Sequence, residues 1–372
     1  MIKVLFFIPN LAHGGAERVL TNLVNHMDYN QFDITVQTMF DVGIYQEKLN
    51  KEVKYIGGVP WYFRGNIMAY KMFSPEFLYK HYIKAEYDIV VSYLEGTSAR
   101  VIGGADCGQK SVCWIHIQLD EQNYAVHAFR NTDEMNRVYQ SFDRIICVSD
   151  AVCQSFKKTI KVNVPTQVLY NTVEADTIRA MAEEAIDDIK FDDKEINIVS
   201  VAKLMKSKGY DRLVRILKRL RENGIPAHVY IVGKGEERSN LEKLLKDNHV
   251  SEYWTFVGFK ENPYKYVKNA DLYVCSSRIE GFSTAVTEAL IVGTPVVSTN
   301  CSGAYELLGA QNEYGIVTDN DENSLYEGIK QMVSTPEMLT DYRRRAKLRG
   351  EKFSIKKTVQ AVEDMLKEIA AQ

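Results

Sequence analysis

The chain alternates short, continuously apolar runs with segments whose apolar residues recur every three or four positions. The run KVLFFIP near the start is typical of a strand buried on both faces. After a glycine-rich turn, Leu20, Leu23 and Met27 share one stripe, which predicts a helix. The first half continues with the runs DITVQTM, YDIVVSY, SVCWIHI and DRIICVS. Such alternation predicts a parallel sheet covered by helices.

The pattern starts again after Asn171. INIVSVA reads as a strand, and Tyr210 to Arg221 reads as an amphipathic helix. Further strand-like runs are HVYIVG, TFVGF, DLYVCSS, TPVVSTN and YGIVT. Two separate series predict two sheets and two domains of the α/β class. We place the boundary between about 165 and 194, through the charged stretch EEAIDDIKFDDKE, which can also be a surface loop or helix.

Composition narrows the class of protein. The chain has 372 residues and a formal net charge of −3, which argues against a general nucleic-acid binder. No run of about 18 apolar residues occurs, and the N-terminal run is too short for a membrane span and lacks a cleavage site. The six cysteines form no Cys-x-x-Cys pair and have no histidine cluster nearby. We therefore expect buried free thiols in a cytoplasmic protein.

Two glycine-rich turns are candidates for ligand binding. Gly14 and Gly15 lie between the first strand and the first helix, where free N–H groups favour an anion. A tight turn without a ligand explains them equally well. The pair Gly233 and Gly235 resembles the start of a dinucleotide fingerprint, but Arg238 occupies the third glycine position. A nicotinamide or flavin site is therefore disfavoured, whereas a nearby phosphate or nucleotide is compatible.

A basic segment follows the strand INIVSVA. Lys203, Lys206 and Lys208 precede Gly209, which opens a helix. Basic side chains beside a helix N-terminus suit a diphosphate. A solvated surface loop is the alternative.

A pair of glutamates gives the strongest signal. Glu280 follows the strand DLYVCSS, and Ser283 is a good N-cap for a helix that should continue to about Val292. Glu288 then lies in the second turn of that helix. Two carboxylates near a helix start can hold sugar hydroxyls, while the free N–H groups remain available for phosphate.

The spacing from Glu280 to Glu288 is the E-x7-E signature, and the chain resembles the retaining GT-B glycosyltransferases of the fourth glycosyltransferase family. The resemblance covers nearly the whole chain, in order, through the segments GGAER, AKLMKSKG, VGKGEE, VGF and TPVVSTN. It implies two Rossmann-like domains whose parallel sheets face each other across a cleft. The expected domains are an acceptor-binding domain at 1–170, a nucleotide-sugar-binding domain at 171–350 and a C-terminal helix at 351–372 that packs towards the first domain.

The resemblance also implies roles for single residues. Lys203 and Lys208 match the two basic residues that neutralise the donor diphosphate, although relatives more often have Arg at the first position, and Lys loses the bidentate fork. Glu288 matches the residue that holds the ribose, and Glu280 matches the one that contacts sugar hydroxyls. Ser283 departs from the usual Gly or Pro. The remaining predicted donor-binding residues are Gly14, Gly15, Gly233, Phe259, Gly281, Phe282 and Thr284.

His116 is the third predicted catalytic residue, beside Glu280 and Lys208. It lies at the carboxyl end of the strand SVCWIHI, where ligands bind in open α/β sheets. Relatives often carry a histidine there, close to the donor sugar. A core histidine bonded to the backbone is the alternative. His13, beside the glycine turn, is a weaker candidate.

The predicted reaction is transfer of a hexose or N-acetylhexosamine from a UDP-linked donor to a saccharide or lipid-linked acceptor, with retention of the anomeric configuration. We expect no metal and no cofactor, because the lysine pair and a helix N-terminus can balance the diphosphate. The resemblance points to bacterial surface polysaccharide or glycan synthesis. The alternatives are a sugar-nucleotide epimerase, a non-catalytic supporting subunit and a nucleotide-binding regulator.

The segment at 61–84 suggests a membrane-surface partner. Its aromatic residues are interleaved with Arg64, Lys71, Lys80 and Lys84 against Glu76. This composition suits weak contact with the inner face of a membrane. Helices with a buried aromatic face are the alternative.

Overall fold

The protein is described by a computed structural model. The described residues are 1–12, 14–62, 65–106, 108–119, 126–280, 282–301 and 303–372. They form two compact units. Unit 1 comprises Met1–Val173 and Ile355–Gln372, and unit 2 comprises Glu174–Ser354.

Unit 1 contains a parallel sheet of seven strands in the order β3-β2-β1-β4-β5-β6-β7. Its strands are β1 (Ile2–Ile8), β2 (Phe32–Thr38), β3 (Lys54–Ile56), β4 (Ile89–Ser92), β5 (Lys110–Ile115), β6 (Arg144–Cys147) and β7 (Thr166–Val168). Its first six helices are α1 (Gly15–His26), α2 (Asn66–Lys71), α3 (Pro75–Tyr82), α4 (Thr97–Ile102), α5 (Thr132–Gln140) and α6 (Asp150–Thr159).

The apolar pattern explains these elements. Val4 to Ile8 of β1 are all buried, because helices cover both faces of a parallel sheet. Val19, Leu20 and Leu23 form the buried stripe of α1, as the three- and four-residue spacing predicts. The strand order reverses between β1 and β4, so the segments after these strands start at a natural ligand-binding position.

Unit 2 repeats this design with six parallel strands in the order β10-β9-β8-β11-β12-β13. Its strands are β8 (Ile196–Val201), β9 (Ala227–Val232), β10 (Trp254–Gly258), β11 (Leu272–Cys275), β12 (Val296–Thr299) and β13 (Ile316–Thr318). Its helices are α7 (Ala175–Ala182), α8 (Tyr210–Glu222), α9 (Arg238–Asp247), α10 (Tyr264–Asn269), α11 (Thr284–Val292), α12 (Ala304–Leu308), α13 (Glu322–Met332) and α14 (Pro336–Gly350). The predicted α/β class with two Rossmann-like parallel sheets is confirmed.

The charged stretch at 183–195, through which the sequence prediction drew the domain boundary, belongs to unit 2. The Asp188 carboxylate accepts the Tyr266 hydroxyl at 2.7 Å and lies 2.6 Å from the Lys260 ammonium. Lys265 lies 3.4 Å from Asp187. The acidic stretch is therefore a surface segment that is paired with the basic side chains on and before α10.

The last helix, α15 (Ile355–Ala370), packs on unit 1. Its buried residues are Val359, Val362, Glu363, Met365, Leu366 and Ile369. Glu363 accepts the backbone N–H of Asp28 at 2.7 Å, and Glu368 pairs with Arg144 at 2.7 Å. The segment therefore completes the core of the first unit, although it follows the second unit in sequence.

Two further features bear on the sequence predictions. The five cysteines in the described part of the chain are buried free thiols, and Cys107 lies outside it. Within the described ranges, no helix combines the length and the apolar character that crossing a membrane requires.

Replacement of Leu366 by Ala should destabilise unit 1. The side chain is fully buried, so its truncation leaves a cavity and costs about 2–5 kcal/mol in the free energy of unfolding. Asp364→Ala, on the exposed face of the same helix, is the matched control. Urea unfolding followed by the fluorescence of Trp114, a buried residue of unit 1, measures both variants. Equal midpoints for the two variants would contradict the packing of α15 on unit 1.

Candidate functional site

The main cluster of predicted site residues lies at the carboxyl edge of the sheet in unit 2. Strands β8 and β11 are neighbours where the strand order reverses. The segment that leads to Lys208 follows β8, and the segment that leads to Glu280 follows β11. Two stretches that are distant in sequence therefore meet where open α/β sheets bind ligands.

Lys208 and Glu280 form an ion pair at this edge. The Lys208 ammonium donates to Oε1 of Glu280 at 2.6 Å, and the Ser277 hydroxyl donates to the same oxygen at 2.7 Å. Both charged side chains are largely shielded from solvent. The sequence prediction assigned them to different parts of a ligand and did not foresee that they contact each other.

The protonation state of Lys208 follows from this pairing. Burial lowers the pKa of Lys208, but the charge and hydrogen bond of Glu280 outweigh burial, so the pKa lies above its ordinary value. The ammonium is therefore charged at neutral pH. Because an ammonium carries three N–H donors, Lys208 can bind an incoming anion and keep its bond to Glu280.

Gly209 allows the two segments to approach. It has a φ of +67°, and a Cβ atom at this position would lie 2.1 Å from the carbonyl oxygen of Ser276. The Ser276 hydroxyl donates to the Lys208 carbonyl at 2.8 Å. A side chain at 209 would push the Lys208 segment away from the strand that leads to Glu280.

The predicted helix after Glu280 is present as α11. The Ser283 hydroxyl accepts the N–H of Val286 at 3.3 Å and caps the helix, as its sequence position predicts. Phe282 and Ser283 are buried, and Thr284 is partly exposed as the first helical residue. Glu288 is buried within α11. Gly281 lies outside the described residues, so its predicted role cannot be placed.

Arg212 is the important residue that sequence reasoning missed. It is only 4% exposed, and its guanidinium donates to the Ser276 carbonyl at 2.8 and 2.5 Å and to the Ser277 carbonyl at 2.7 Å. It also donates to the Asn320 side chain at 2.9 Å. Arg212 therefore fixes the backbone immediately before Glu280.

No carboxylate within salt-bridge distance of Arg212 occurs in the part of the chain that the structure describes. Burial lowers the pKa of Arg212, but a guanidinium stays charged. The carbonyl oxygens of Ser276 and Ser277 accept its N–H groups and so stabilise the buried charge. The sequence did contain a signal that Arg212 is buried, because this residue lies four positions before Ile216 and eight before Leu220, on the buried stripe of α8.

A second arginine, Arg278, anchors the segment before Glu280 on its solvent-exposed side. Arg278 forms two bonds of 2.8 Å to the Asp211 carboxylate and donates to the Lys206 carbonyl at 2.8 Å. Burial raises the pKa of Asp211, but its bonds to Arg278 and Arg215 have the larger combined effect and lower the pKa to about 2. The loop before Glu280 is thus tied to the start of α8 on both sides.

The other predicted donor residues of unit 2 lie around this edge. Lys203 is exposed, whereas Lys208 is largely shielded from solvent. A Cβ atom at Gly233 would lie 1.9 Å from the Ala202 carbonyl, which gives this glycine a packing role. Phe259 is exposed, and the Lys234 ammonium lies 5.3 Å from the centre of its ring.

In unit 1, the predicted anion site at the start of α1 already contains a carboxylate. Gly14 is the N-cap and Gly15 is the first helical residue. A Cβ atom on Gly14 would lie 1.7 Å from Oε2 of Glu17, so this carboxylate covers the helix start. A phosphate that binds here must displace Glu17. His13 lies outside the described residues.

His116 lies directly after β5, as predicted, and is buried. Its backbone N–H donates to Oε2 of Glu95 at 2.8 Å, and its ring lies 4.9 Å from that of Tyr93. Among the described residues, Nε2 has no hydrogen-bond partner. Burial lowers the pKa of His116 to about 3, although a bond to the Tyr93 backbone opposes this. The neutral ring can exchange a hydrogen bond with a ligand but cannot act as a cation near pH 7. Its catalytic role stays a prediction.

Within the described ranges, no three His, Cys, Asp or Glu side chains are grouped as metal ligands. The expectation of metal-independent chemistry stays a prediction.

Comparisons with known proteins cover both halves of the chain. Residues 181–349 match the family model described as glycosyl transferases group 1, and residues 13–177 match the one described as glycosyltransferase family 4. One relative, from Campylobacter jejuni, is N-acetylgalactosamine-N,N'-diacetylbacillosaminyl-diphospho-undecaprenol 4-alpha-N-acetylgalactosaminyltransferase. It is 33% identical over 189 residues, which are 50% of this chain and 49% of that protein. The aligned part is thus about half of that relative's length.

Solved structures show the same architecture over the full length. HepE of Anabaena in complex with UDP and glucose has a TM-score of 0.77 at 17% identity, over 99% of this chain and 100% of that one. Sucrose-phosphate synthase of Thermosynechococcus elongatus has a TM-score of 0.80 at 15% identity, over 100% of both chains. At these identities the likeness concerns the fold. Glycosyltransferase family models thus match both halves of the chain, the group 1 model over residues 181–349, and the chain has the GT-B fold.

Replacement of Arg212 by Met should loosen the loop before Glu280. The variant leaves the carbonyls of Ser276 and Ser277 without their buried donor, at a cost of about 2–5 kcal/mol in unfolding free energy. Arg215→Met, which removes only partly exposed ion pairs, is the control. Hydrogen exchange of the 276–280 amides should accelerate only in Arg212→Met. Equal exchange in both variants would show that Arg212 does not hold the loop.

The ring of His116 should stay neutral across the physiological pH range. A histidine in the unfolded chain has a pKa of about 6.5. Below that pH the unfolded chain therefore binds a proton at residue 116, whereas the folded chain does not. Stability is therefore lost as pH falls from about 6.5 towards 3, by roughly 1.4 kcal/mol per pH unit at most. In NMR spectra of a protein with isotopically labelled histidines, the ring signal of His116 is the one that disappears in the His116→Asn variant. This signal should not titrate between pH 8 and 5. A midpoint near pH 6 for that signal would refute the buried neutral ring.

Proposed function

We propose that this protein is a group 1 glycosyltransferase that moves a hexose or N-acetylhexosamine from a UDP-linked donor to a saccharide or lipid-linked acceptor, with retention of the anomeric configuration. The observation that carries the proposal is the Lys208–Glu280 pair, held by Arg212 beside the capped start of α11. At this sheet edge, the cation and the α11 N–H groups match the diphosphate of a nucleotide-sugar, Glu280 matches the sugar hydroxyls, and Glu288 matches the ribose.

Lys208 is the proposed ligand of the diphosphate. Its raised pKa keeps it charged, and two of its N–H donors remain for phosphate while one keeps Glu280 in place. When the bond from the sugar to the diphosphate breaks, negative charge grows on the departing phosphate. Lys208 and the α11 N–H groups stabilise that charge more in the transition state than in the ground state.

The two glutamates have separate proposed roles. Glu280 accepts hydroxyls of the donor sugar, since one oxygen is occupied by Lys208 and Ser277 and the other can turn towards a ligand. Glu288 holds the ribose. The backbone at Phe282, Ser283 and Thr284 lies against the sugar and phosphate. Exposed Lys203 provides a second, more mobile positive charge.

In this proposal the anomeric configuration is retained because the acceptor hydroxyl attacks the donor sugar on the same face from which the nucleotide diphosphate departs. The departing phosphate oxygen takes the proton of the acceptor hydroxyl, so the C–O bond to the acceptor forms as the C–O bond to the diphosphate breaks. The protein supplies position and charge, with no metal or cofactor in the scheme. The roles of His116, Gly14 and Gly15 stay predictions from the sequence.

The names of relatives support the substrate classes. The Campylobacter relative is named for an alpha-linked transfer of N-acetylgalactosamine to a diphospho-undecaprenol-linked saccharide. HepE was solved with UDP and glucose. We therefore propose a UDP-linked donor and an acceptor on a lipid carrier, in surface polysaccharide or glycan synthesis. Contact with the inner face of a membrane through 61–84 would bring the chain to such an acceptor.

Two variants should separate the diphosphate from the ribose contact. Lys208→Met should weaken UDP about 10–100-fold and leave uridine binding unchanged, because it removes a charge-assisted bond to phosphate. Glu288→Gln should weaken UDP and uridine to the same extent, because both contain the ribose. Calorimetry in EDTA, after a thermal-shift screen of UDP-, GDP- and ADP-sugars, measures these affinities.

Lys246→Met and Glu252→Gln, which replace exposed residues of unit 2, are the matched controls and should bind like the parent protein. Proton NMR of the transfer product gives its anomeric configuration, and an inverted anomer would overturn the proposed stereochemistry. Binding without turnover favours a supporting subunit, and interconversion of the donor sugar favours an epimerase. If no nucleotide sugar binds, the donor site is wrong.

A further inference from the structure

Large apolar side chains are exposed together on one part of unit 1. We define the α2–α3 patch as Trp61, Tyr62, Met68, Met72, Phe73 and Phe77. Met72 is 78% exposed, Met68 69% and Trp61 64%. The patch lies in and beside two short helices, and Leu78 and Tyr79 on the opposite side of the second helix are buried. The alternative interpretation of 61–84 holds in part, because α2 and α3 bury the aromatic side chains of Tyr70 and Tyr79, but Phe73 and Phe77 are exposed. Residues 63 and 64 lie outside the described residues.

A buried arginine holds the backbone under the patch. Arg100 is fully buried and donates to the carbonyls of Tyr70 at 2.8 Å and Phe73 at 2.6 Å. The same guanidinium forms two bonds to the Glu134 carboxylate, of 3.1 and 2.9 Å. The end of α2 is thus fixed to the interior of unit 1 by a buried ion pair.

A second arginine completes this attachment. Arg130 donates to the carbonyls of Lys71 at 2.6 Å and Met72 at 3.1 Å. Four successive carbonyls, from residue 70 to 73, therefore accept guanidinium N–H groups. Since the backbone cannot turn inwards, Met72 and Phe73 are held towards solvent. Phe73 and Phe77 also stack with ring centres 5.0 Å apart, so these two exposed side chains form one apolar surface.

The charges around the patch are mainly positive. Lys71, Lys80 and Lys84 lie in and after α2 and α3, against Glu76 within the same stretch. Asp106 approaches Lys80 to 3.7 Å, but both side chains are exposed, so this pair is weak. Exposed tryptophan, tyrosine, phenylalanine and methionine with a lysine rim are typical of the interface between headgroups and acyl chains.

We infer that the α2–α3 patch docks unit 1 on the surface of an anionic phospholipid bilayer. Met72, Phe73 and Phe77 enter the boundary between headgroups and acyl chains, and the three lysines contact lipid phosphates. A second copy of the chain fits less well, because a twofold interface would bring the same lysines together. This docking adds a membrane surface to the proposed function. Only its link to a lipid-linked acceptor rests on the proposed function, because binding to vesicles needs no donor.

The test is binding of the full chain to vesicles without donor or acceptor. Vesicles that contain phosphatidylglycerol should bind the protein, whereas pure phosphatidylcholine vesicles should bind it weakly. Trp61 reports the contact directly, because Trp114 and Trp254 are buried and Trp61 is exposed. Its emission should shift to the blue, and acrylamide should quench it less.

Met72→Ser combined with Phe77→Ser should lower the partition coefficient about tenfold or more. Lys71→Glu combined with Lys80→Glu should abolish the preference for anionic vesicles. Leu348→Ser, which replaces an exposed leucine of unit 2, is the matched control and should bind like the parent chain. Unchanged melting temperature and UDP affinity show that the variants are folded, so a failure here is distinct from a failure of the donor site.

Three results would overturn the inference. The first is no vesicle binding by the parent chain, and the second is equal binding by parent and patch variants. The third is a concentration-dependent dimer that Met72→Ser abolishes, which would identify a second copy as the occupant of the patch.

Discussion

A strand that is covered by helices on both faces rarely carries a charged side chain along its buried length, and this constraint puts Lys208, Glu280 and His116 beyond the ends of strands. Strands β8 and β11 contain no charged residue, and the charged residues of the site come after them. Lys208 and Glu280 are brought together because the two strands are parallel neighbours whose carboxyl ends share an edge. His116 lies at the same kind of edge in unit 1.

Both units use a buried arginine to position a functional segment. Arg212 holds the carbonyls before Glu280, and Arg100 holds those under the α2–α3 patch. A guanidinium suits this task because its planar set of N–H donors can satisfy several carbonyls at once. The two arginines differ in charge balance. Arg100 forms an ion pair with Glu134, whereas in the described part of the chain the Arg212 guanidinium is held by backbone carbonyls and the Asn320 side chain.

The Lys208–Glu280 pair gives the proposed donor site its character. Each charge stabilises the other when no ligand is present, so neither has to shed a full hydration shell when the donor arrives. The donor must instead share these groups, which favours a molecule that offers phosphate and hydroxyl oxygens together. At the start of α1, by contrast, the Glu17 carboxylate already covers Gly14 and must move before a phosphate can bind.

The sequence by itself determined the two series of strands and helices, the cap at Ser283 and the position of the glutamates around α11. These features depend on local periodicity and on the hydrogen bonds of neighbouring residues, which a linear pattern records. Only the tertiary structure decided that Lys208 pairs with Glu280, which is 72 positions away, and that Arg212 holds the loop between them. It also decided which aromatic residues of 61–84 face solvent. Such contacts depend on which strands become neighbours and on which backbone carbonyls lack a partner, and neither is visible in the spacing of residues along the chain.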